Sequence, residues 1–152
     1  KNEPYLIEYN VRMGDPECQV ILPRLNTDLL LIIKNAVMDR LNKIKIKWSK
    51  EKSMTIVLCS KGYPGNYKKN RIIENIDNLN LSKNDYIFHA GTKIKNNALV
   101  SNGGRVLNIT STGKSFIKIR KKIITIIKKI NWKDGFYRKD IGWKVIKKNA
   151  NY

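Results

Sequence analysis

Alternation in the first dozen residues gives way to helical spacing and then to a series of short apolar runs. In residues 4–12, Leu6, Glu8, Asn10 and Arg12 fall on one face of an extended chain, which predicts a strand ending at Met13-Gly14. Asp15-Pro16-Glu17 predicts a helix start, with Asp as cap, Pro in the first position and an acid in the first turn. Pro23 limits that helix to about two turns. Apolar residues at 29, 30, 33, 37 and 41 predict a second helix from Thr27-Asp28 to about Leu41. Residues 43–52 are a charged connector and divide the chain into segments 1–50 and 51–152.

Beyond the connector, residues 54–60 form a continuous apolar strand, expected in the middle of a sheet. Gly62-Tyr-Pro-Gly65 marks a turn, and residues 86–89 and 98–101 are shorter strands. Asn96-Asn97 joins the 93–95 segment to the strand at Ala98 as a hairpin. Gly103-Gly104 leads into a strand over 105–110. Residues 115–130 form an amphipathic helix with Phe116, Ile119, Ile123, Ile126, Ile127 and Ile130 on its apolar side. Residues 132–146 mix turn signals with aromatics and yield no assigned element. There is no internal repeat and no regular βαβ alternation. The expected class is α+β, a mixed α/β fold.

With 41% hydrophobic residues the chain can bury a core. The longest apolar run of interest, residues 29–33, is far short of a membrane span, and the opening Lys-Asn-Glu-Pro lacks signal-peptide features. Cys18 and Cys59 show neither zinc spacing nor a disulfide framework, so a reduced, cytoplasmic protein is expected. Cys18 reads as a small helix residue and Cys59 as a core residue. The net charge of +19 suggests nucleic acid or an anionic surface. However, 24 of the 31 basic residues are Lys, and Lys, Asn and Ile, all with A/T-rich codons, make up 64 of the 152 positions. Drift in base composition is the preferred reading of that charge; an interest in anions, phosphorylated small molecules included, is the alternative. The basic face of the 115–130 helix would suit a membrane, but a helix covering a sheet needs the same pattern.

Glu8-x-Asn10 places a carboxylate and an amide oxygen about 6.6 Å apart on one strand face. That pair suits Mg²⁺ shared with nucleotide phosphates. Arg12 can reach the same space and hold a carboxylate or phosphate. Alone, Glu-x-Asn-x-Arg also fits an ordinary solvent-facing strand edge. Gly103-Gly104-Arg105 would offer backbone amides and a guanidinium to a phosphate, or be a plain hairpin turn. Lys61, beside Gly62, is a further candidate. Thr112-Gly-Lys-Ser115 lacks the first glycine of a P-loop, because Asn108 stands there, and reads as a capped helix start. His89, the single histidine, reads as a hydrogen-bonded structural residue.

The run Glu8-Tyr-Asn-Val-Arg-Met-Gly-Asp-Pro-Glu-Cys-Gln-Val-Ile-Leu-Pro-Arg-Leu25 resembles the segment closing the ATP-grasp domain of the glycinamide ribonucleotide synthetase (phosphoribosylamine–glycine ligase) family. Ser60-Lys-Gly-Tyr-Pro-Gly65, Phe88-His-Ala-Gly-Thr92, Ser101-Asn-Gly-Gly-Arg-Val-Leu107 and Phe136-Tyr-Arg-Lys-Asp-Ile-Gly142 extend the resemblance in order over essentially the whole chain. Met13 stands where Phe or Leu is usual, and Asn70 replaces a usual Gly, which predicts a differently shaped loop.

The resemblance implies an ATP-dependent carbon–nitrogen ligase of purine biosynthesis. ATP phosphorylates glycine, and the amine of 5-phosphoribosylamine attacks the acyl phosphate, giving glycinamide ribonucleotide, ADP and phosphate. It further implies that residues 1–50 end the ATP-grasp domain and that residues 51–152 are a small α+β domain with a mainly antiparallel sheet. Glu8 and Asn10 would hold Mg²⁺ or Mn²⁺. Arg12 would be catalytic, and Arg12, Gly14, Asp15, Lys61, Gly103, Gly104 and Arg105 would bind substrate. The partners expected are the small substrates and the N-terminal part of the same enzyme, without which the chain is inactive; no specific nucleic acid and no membrane are expected. The competing classes are a basic nucleic-acid-binding module on this fold and a noncatalytic partner of a separate ATP-binding chain.

Overall fold

The computed structural model describes residues 3–148. Strands β1 (Lys52–Ser60), β2 (Asp85–His89), β5 (Arg105–Gly113) and the two-residue β6 (Gly135–Phe136) form one sheet in the order β2-β5-β1-β6, antiparallel throughout. A hairpin of β3 (Thr92–Lys95) and β4 (Ala98–Ser101) turns at Asn96-Asn97, both at positive φ. Asn tolerates that left-handed backbone better than most residues, and two such residues in succession make the hairpin turn expected of a two-residue loop.

β1 alternates: Met54, Ile56, Leu58 and Ser60 are buried on one face, where they meet Leu107 and Ile109 of β5 and helix α3 (Phe116–Lys129). Helix α3 turns Ile119, Ile123, Ile126 and Ile127 inward, with Ile130 and Trp132 closing the core behind it. The 3.6-residue spacing of the isoleucines therefore translates directly into one packed layer of helix on sheet. Lys128 and Lys129 lie in the last turn, where positive charge suits the helix dipole.

One polar group pins this layer. Asp85, whose side chain is 2% exposed, receives Ser111 Oγ at 2.5 Å, Ser82 Oγ at 2.8 Å, the Ser82 amide at 3.0 Å and Lys122 Nζ of α3 at 2.9 Å. Burial pushes its carboxyl up, but the bonds from Ser111, Lys122 and Ser82 outweigh that and hold it below the usual carboxylate range.

The opposite face of the sheet carries the short helix α1 (Glu17–Ile21), followed by a 3₁₀ turn at Leu22–Arg24. Pro23 sits inside that turn, so the α-helix is briefer than two turns. Asp15 does not cap α1; Pro16 is the cap residue, and the Asp15 carboxylate points to the sheet instead. Helix α2 (Leu29–Val37) is capped by Asp28, whose side chain accepts from the Leu31 amide, but it stops four residues before the expected Leu41, and Asp39 takes a positive φ. None of its residues is buried: Leu30 is 73% and Val37 83% exposed.

Residues 4–12 form no strand. An extended segment is a strand only when a neighbour pairs with its backbone, and no described residue does; Tyr5, Leu6, Ile7, Tyr9 and Val11 are exposed. The aromatic tail adds β6 and helix α4 (Trp143–Lys148), neither foreseen. Asn70 keeps a positive φ, the conformation a glycine would take there, so the substitution is compatible with a glycine-shaped turn. Cys59 is not in the α3 core but looks to the opposite face, and Ser115 caps α3 without a side-chain bond.

Replacing Asp85 with Asn is expected to cost about 2 kcal/mol, since the charge that pairs with Lys122 is lost and one acceptor oxygen becomes a donor among groups that donate to it. In the parent chain a carboxyl held low by folding contributes stability above its unfolded pKa of about 4 and loses it as the pH falls through the lower folded value. Urea titrations between pH 7 and pH 2 should show this acid-side loss in the parent and a flatter profile in Asp85→Asn.

Candidate active site

The three candidates at the start of the chain are neighbours in space as in sequence. Asn10 Nδ2 donates to Glu8 Oε1 at 2.8 Å, and Arg12 Nη1 donates to Asn10 Oδ1 at 2.8 Å and to the Met13 carbonyl at 3.1 Å. All three side chains are exposed. The extended backbone puts alternate residues on one side, so carboxylate, amide and guanidinium form a single polar edge.

The chain then turns. Glu17 reaches back to the Gly14 amide at 2.8 Å, while the Gly14 carbonyl accepts from the Glu17 and Cys18 amides. A reciprocal bond of this kind fixes the entry of a helix. Asp15, at the turn, is held from three directions. Its Oδ1 accepts from Gln19 Nε2 at 3.0 Å and Asn108 Nδ2 at 3.2 Å, and its Oδ2 pairs with Arg105 Nε at 2.9 Å. Arg105 Nη1 also bonds the Asp15 carbonyl at 3.3 Å. The structure thus brings Asp15 and Arg105, 90 residues apart in sequence, into direct contact.

Arg105 reaches this face because the β1–β5 ladder slips. Leu58 pairs with Leu107, but Cys59 pairs with Arg105, leaving Val106 as an extra residue. A one-residue bulge reverses the facing of everything beyond it. Without it, Arg105 would share the core face with Leu107 and Ile109. The amides of Ala90 and Gly91 both bond the Val106 carbonyl, at 3.1 Å each, which secures the bulge.

Glycines crowd around it. A methyl on Gly91 would lie 2.5 Å from the Arg105 carbonyl oxygen and 3.0 Å from Gly103 Cα; one on Gly104 would lie 2.1 Å from the Tyr63 ring. Ser60 Oγ donates to the Gly103 carbonyl at 2.8 Å and the Ser60 amide to the Gly104 carbonyl at 2.8 Å. Gly103-Gly104 is therefore a packed connection into β5 with its carbonyls engaged.

Beside Arg105 lies a cleft of roughly 400 Å³, floored by Val57 and Cys59 and walled by Tyr63, Pro64 and Phe136. Arg138 lines it too and is bound to Asp140 at 2.6 Å. Burial pushes the Cys59 thiol up; the Arg105 charge offsets part of this and the Asp15 carboxylate adds to it. Lys61 lies apart from Asp15 and Arg105, in a separate depression with Asn66, Lys68 and Asp134. His89 Nδ1 lies 2.9 Å from Thr92 Oγ1, a contact across the turn into the hairpin. Asn108 was missed by sequence reading. Its signal was a carboxamide inside the otherwise apolar and hydroxylated run of β5.

Beyond this geometry, the sheet-bearing part of the chain matches a family model. The description "Phosphoribosylglycinamide synthetase, C domain" matches residues 53–144. The chain belongs to the phosphoribosylglycinamide synthetase family. It is 44% identical over 145 residues to a phosphoribosylamine–glycine ligase of Brucella melitensis, covering 95% of this chain and 34% of the relative. A chloroplastic phosphoribosylamine–glycine ligase of Arabidopsis thaliana is 41% identical over 146 residues, covering 95% of this chain and 27% of the relative. The crystal structure of a phosphoribosylamine–glycine ligase from Thermotoga maritima superposes with a TM-score of 0.67 at 33% identity, covering 91% of this chain and 33% of that one. The chain spans about a third of the length of these relatives.

Gly91→Ala is expected to destabilise the chain by about 1–3 kcal/mol, because the clash is with backbone on both sides. Gly113→Ala, whose added methyl would meet only the Ile119 side chain at 3.4 Å, is the control. Urea unfolding of the two variants checks this; equal midpoints would contradict the packing argument.

Proposed function

We propose that this chain is the C-terminal part of an ATP-dependent ligase joining glycine to 5-phosphoribosylamine, with glycinamide ribonucleotide, ADP and phosphate as products, in purine biosynthesis. The observation that carries the reading is the polar edge Glu8–Asn10–Arg12 running through the Gly14–Asp15 turn to Arg105, in a chain of this family. Residues 1–50 would close the ATP-grasp domain and residues 51–152 form the C-terminal domain. The exposed apolar residues of segment 5–11 and of α2 suit a surface covered by the N-terminal part of the enzyme. The cytoplasm is the proposed compartment; among the described residues no helix is long and apolar enough to cross a membrane.

Glu8 and Asn10 have the chemistry for Mg²⁺ or Mn²⁺, a carboxylate and an amide oxygen open to solvent, once the Asn10 amide, which here turns its nitrogen to Glu8 and its oxygen to Arg12, is turned over; no group of three His, Cys, Asp or Glu among the described residues forms a closed cage. A site so sparse needs phosphate oxygens and water to complete it, as a nucleotide-bridging ion does. When bound, the ion neutralises charge on the transferred phosphoryl group. Arg12 is the proposed catalytic residue, its guanidinium directed to the glycine carboxylate and the acyl phosphate formed from it. Arg105 and the Gly103–Gly104 turn are the proposed ribose-phosphate side, with Gly14 and Asp15 joining the two and Lys61 at the outer margin.

Glu8→Gln in the complete ligase is expected to lower kcat at least tenfold with little change in melting temperature, equivalent to more than about 1.4 kcal/mol of transition-state stabilisation. Turnover near the parent's at saturating Mg²⁺ contradicts the ligand assignment. Arg105→Ala should raise KM for phosphoribosylamine more than KM for ATP, measured by initial rates against each substrate in turn. A larger effect on ATP, or none on either, refutes the phosphate role.

A further inference from the structure

We propose that Asn108 is a positioning residue: its buried side-chain amide anchors Asp15 and thereby aims the Glu8–Asn10–Arg12 edge. The proposal rests on the reading of that edge as the metal and acyl-phosphate side. Residues 3–12 pair with no strand, and their side-chain hydrogen bonds are confined to neighbours within two residues among the described ones. Gly14 is tied only to α1, through Glu17 and Cys18. Asp15 is the first residue along the described chain with a hydrogen bond to the sheet, and those bonds end on Arg105 and Asn108. The direction in which the edge leaves the domain is set at this point.

Of the two anchors, Arg105 is the looser. Its side chain is 44% exposed, and a half-exposed ion pair on a long side chain fixes geometry weakly. Asn108 is 0% exposed, on the inner strand β5, with Val57 opposite it on β1. It has no room to follow a moving partner.

The amide itself is unusual for the fold. Asn108 Nδ2 donates to Asp15 Oδ1, while Asn108 Oδ1 is buried without a partner. Turning the amide over would set Oδ1 against a carboxylate oxygen, so the donor orientation is dictated by Asp15. A buried carboxamide that leaves its acceptor unsatisfied is a poor choice for packing alone, and an aliphatic or hydroxylated residue would serve the strand better. What Asn108 supplies, and those residues do not, is a rigid N–H donor aimed at the turn.

The test has two arms. In the 152-residue chain, Asn108→Leu should speed hydrogen exchange at the Glu17 and Cys18 amides at least tenfold, leaving the β1 and β5 amides within twofold of the parent. In the complete ligase, the same variant should raise the Mg²⁺ concentration for half-maximal rate and lower kcat, each at least fivefold, with KM for phosphoribosylamine within twofold. Asn108→Asp in the same enzyme, which sets a carboxylate against the Asp15 carboxylate in the same buried place, should impair metal activation at least as much as Asn108→Leu. A uniform rise in exchange, or unaltered exchange at Glu17 and Cys18, overturns the anchor. Normal metal activation in Asn108→Leu or in Asn108→Asp overturns the positioning role. If the unsubstituted ligase makes no glycinamide ribonucleotide, the functional reading fails, and the exchange arm still decides whether Asn108 holds the turn.

Discussion

The β1–β5 ladder is the constraint on which the rest depends. Seven pairs from Lys52↔Gly113 to Leu58↔Leu107 keep strict register, so the core face and the opposite face are separated residue by residue. The bulge at Val106 then ends that regularity where it matters. Up to it, alternation sends Leu107 and Ile109 under α3; past it, Arg105 emerges on the far face beside Cys59. A single unpaired residue thus decides that a guanidinium meets Asp15 rather than a hydrophobic core. The close approach of Gly91 to Gly103 and of Gly104 to Tyr63 is the steric condition for that bulge, since side chains there would push the backbones apart.

Each face of the sheet is then held by a carboxylate, in different ways. Asp85 is nearly inaccessible, meets four donors and ties α3 to β2 and β5 through Lys122 and Ser111. It belongs to the core, and removing it leaves the buried Ser111 hydroxyl without its acceptor while Lys122 and Ser82 turn to solvent. Asp15 is 32% exposed, and its donors come from a short helix, an exposed arginine and one buried amide. The first arrangement stabilises; the second directs a segment that has little else to orient it. This difference in burial explains why the polar edge can stand open to solvent beside a well-packed domain.

Much of the fold was legible because it depends on period and on local turn chemistry. The isoleucine spacing of α3, the Asn96-Asn97 hairpin, the apolar run of β1 and the strand after Gly103-Gly104 each follow from residues within one element. The errors share one cause. The strand expected over 4–12 needed a pairing partner, and alternation alone does not supply one. Asp15 has the residue type of a helix cap, but donors 90 or more residues away competed for its carboxylate and won. Helix α2 has an apolar stripe, yet none of its residues is buried, since a stripe states which side will be covered and not by what.

For the site, the sequence by itself determined the neighbours: Glu8, Asn10 and Arg12 must share an edge because an extended chain alternates. It also carried the family, through ordered motifs that later proved to cover residues 53–144 and beyond. Only the tertiary structure decided that Asp15 faces Arg105, that Asn108 is the buried donor between the segments, and that Lys61 lies in a different depression. Those facts hang on a one-residue slip between two strands and on contacts across 90 positions. Periodicity is a local property of the chain, whereas the phase of one strand against another is settled only when the whole sheet packs.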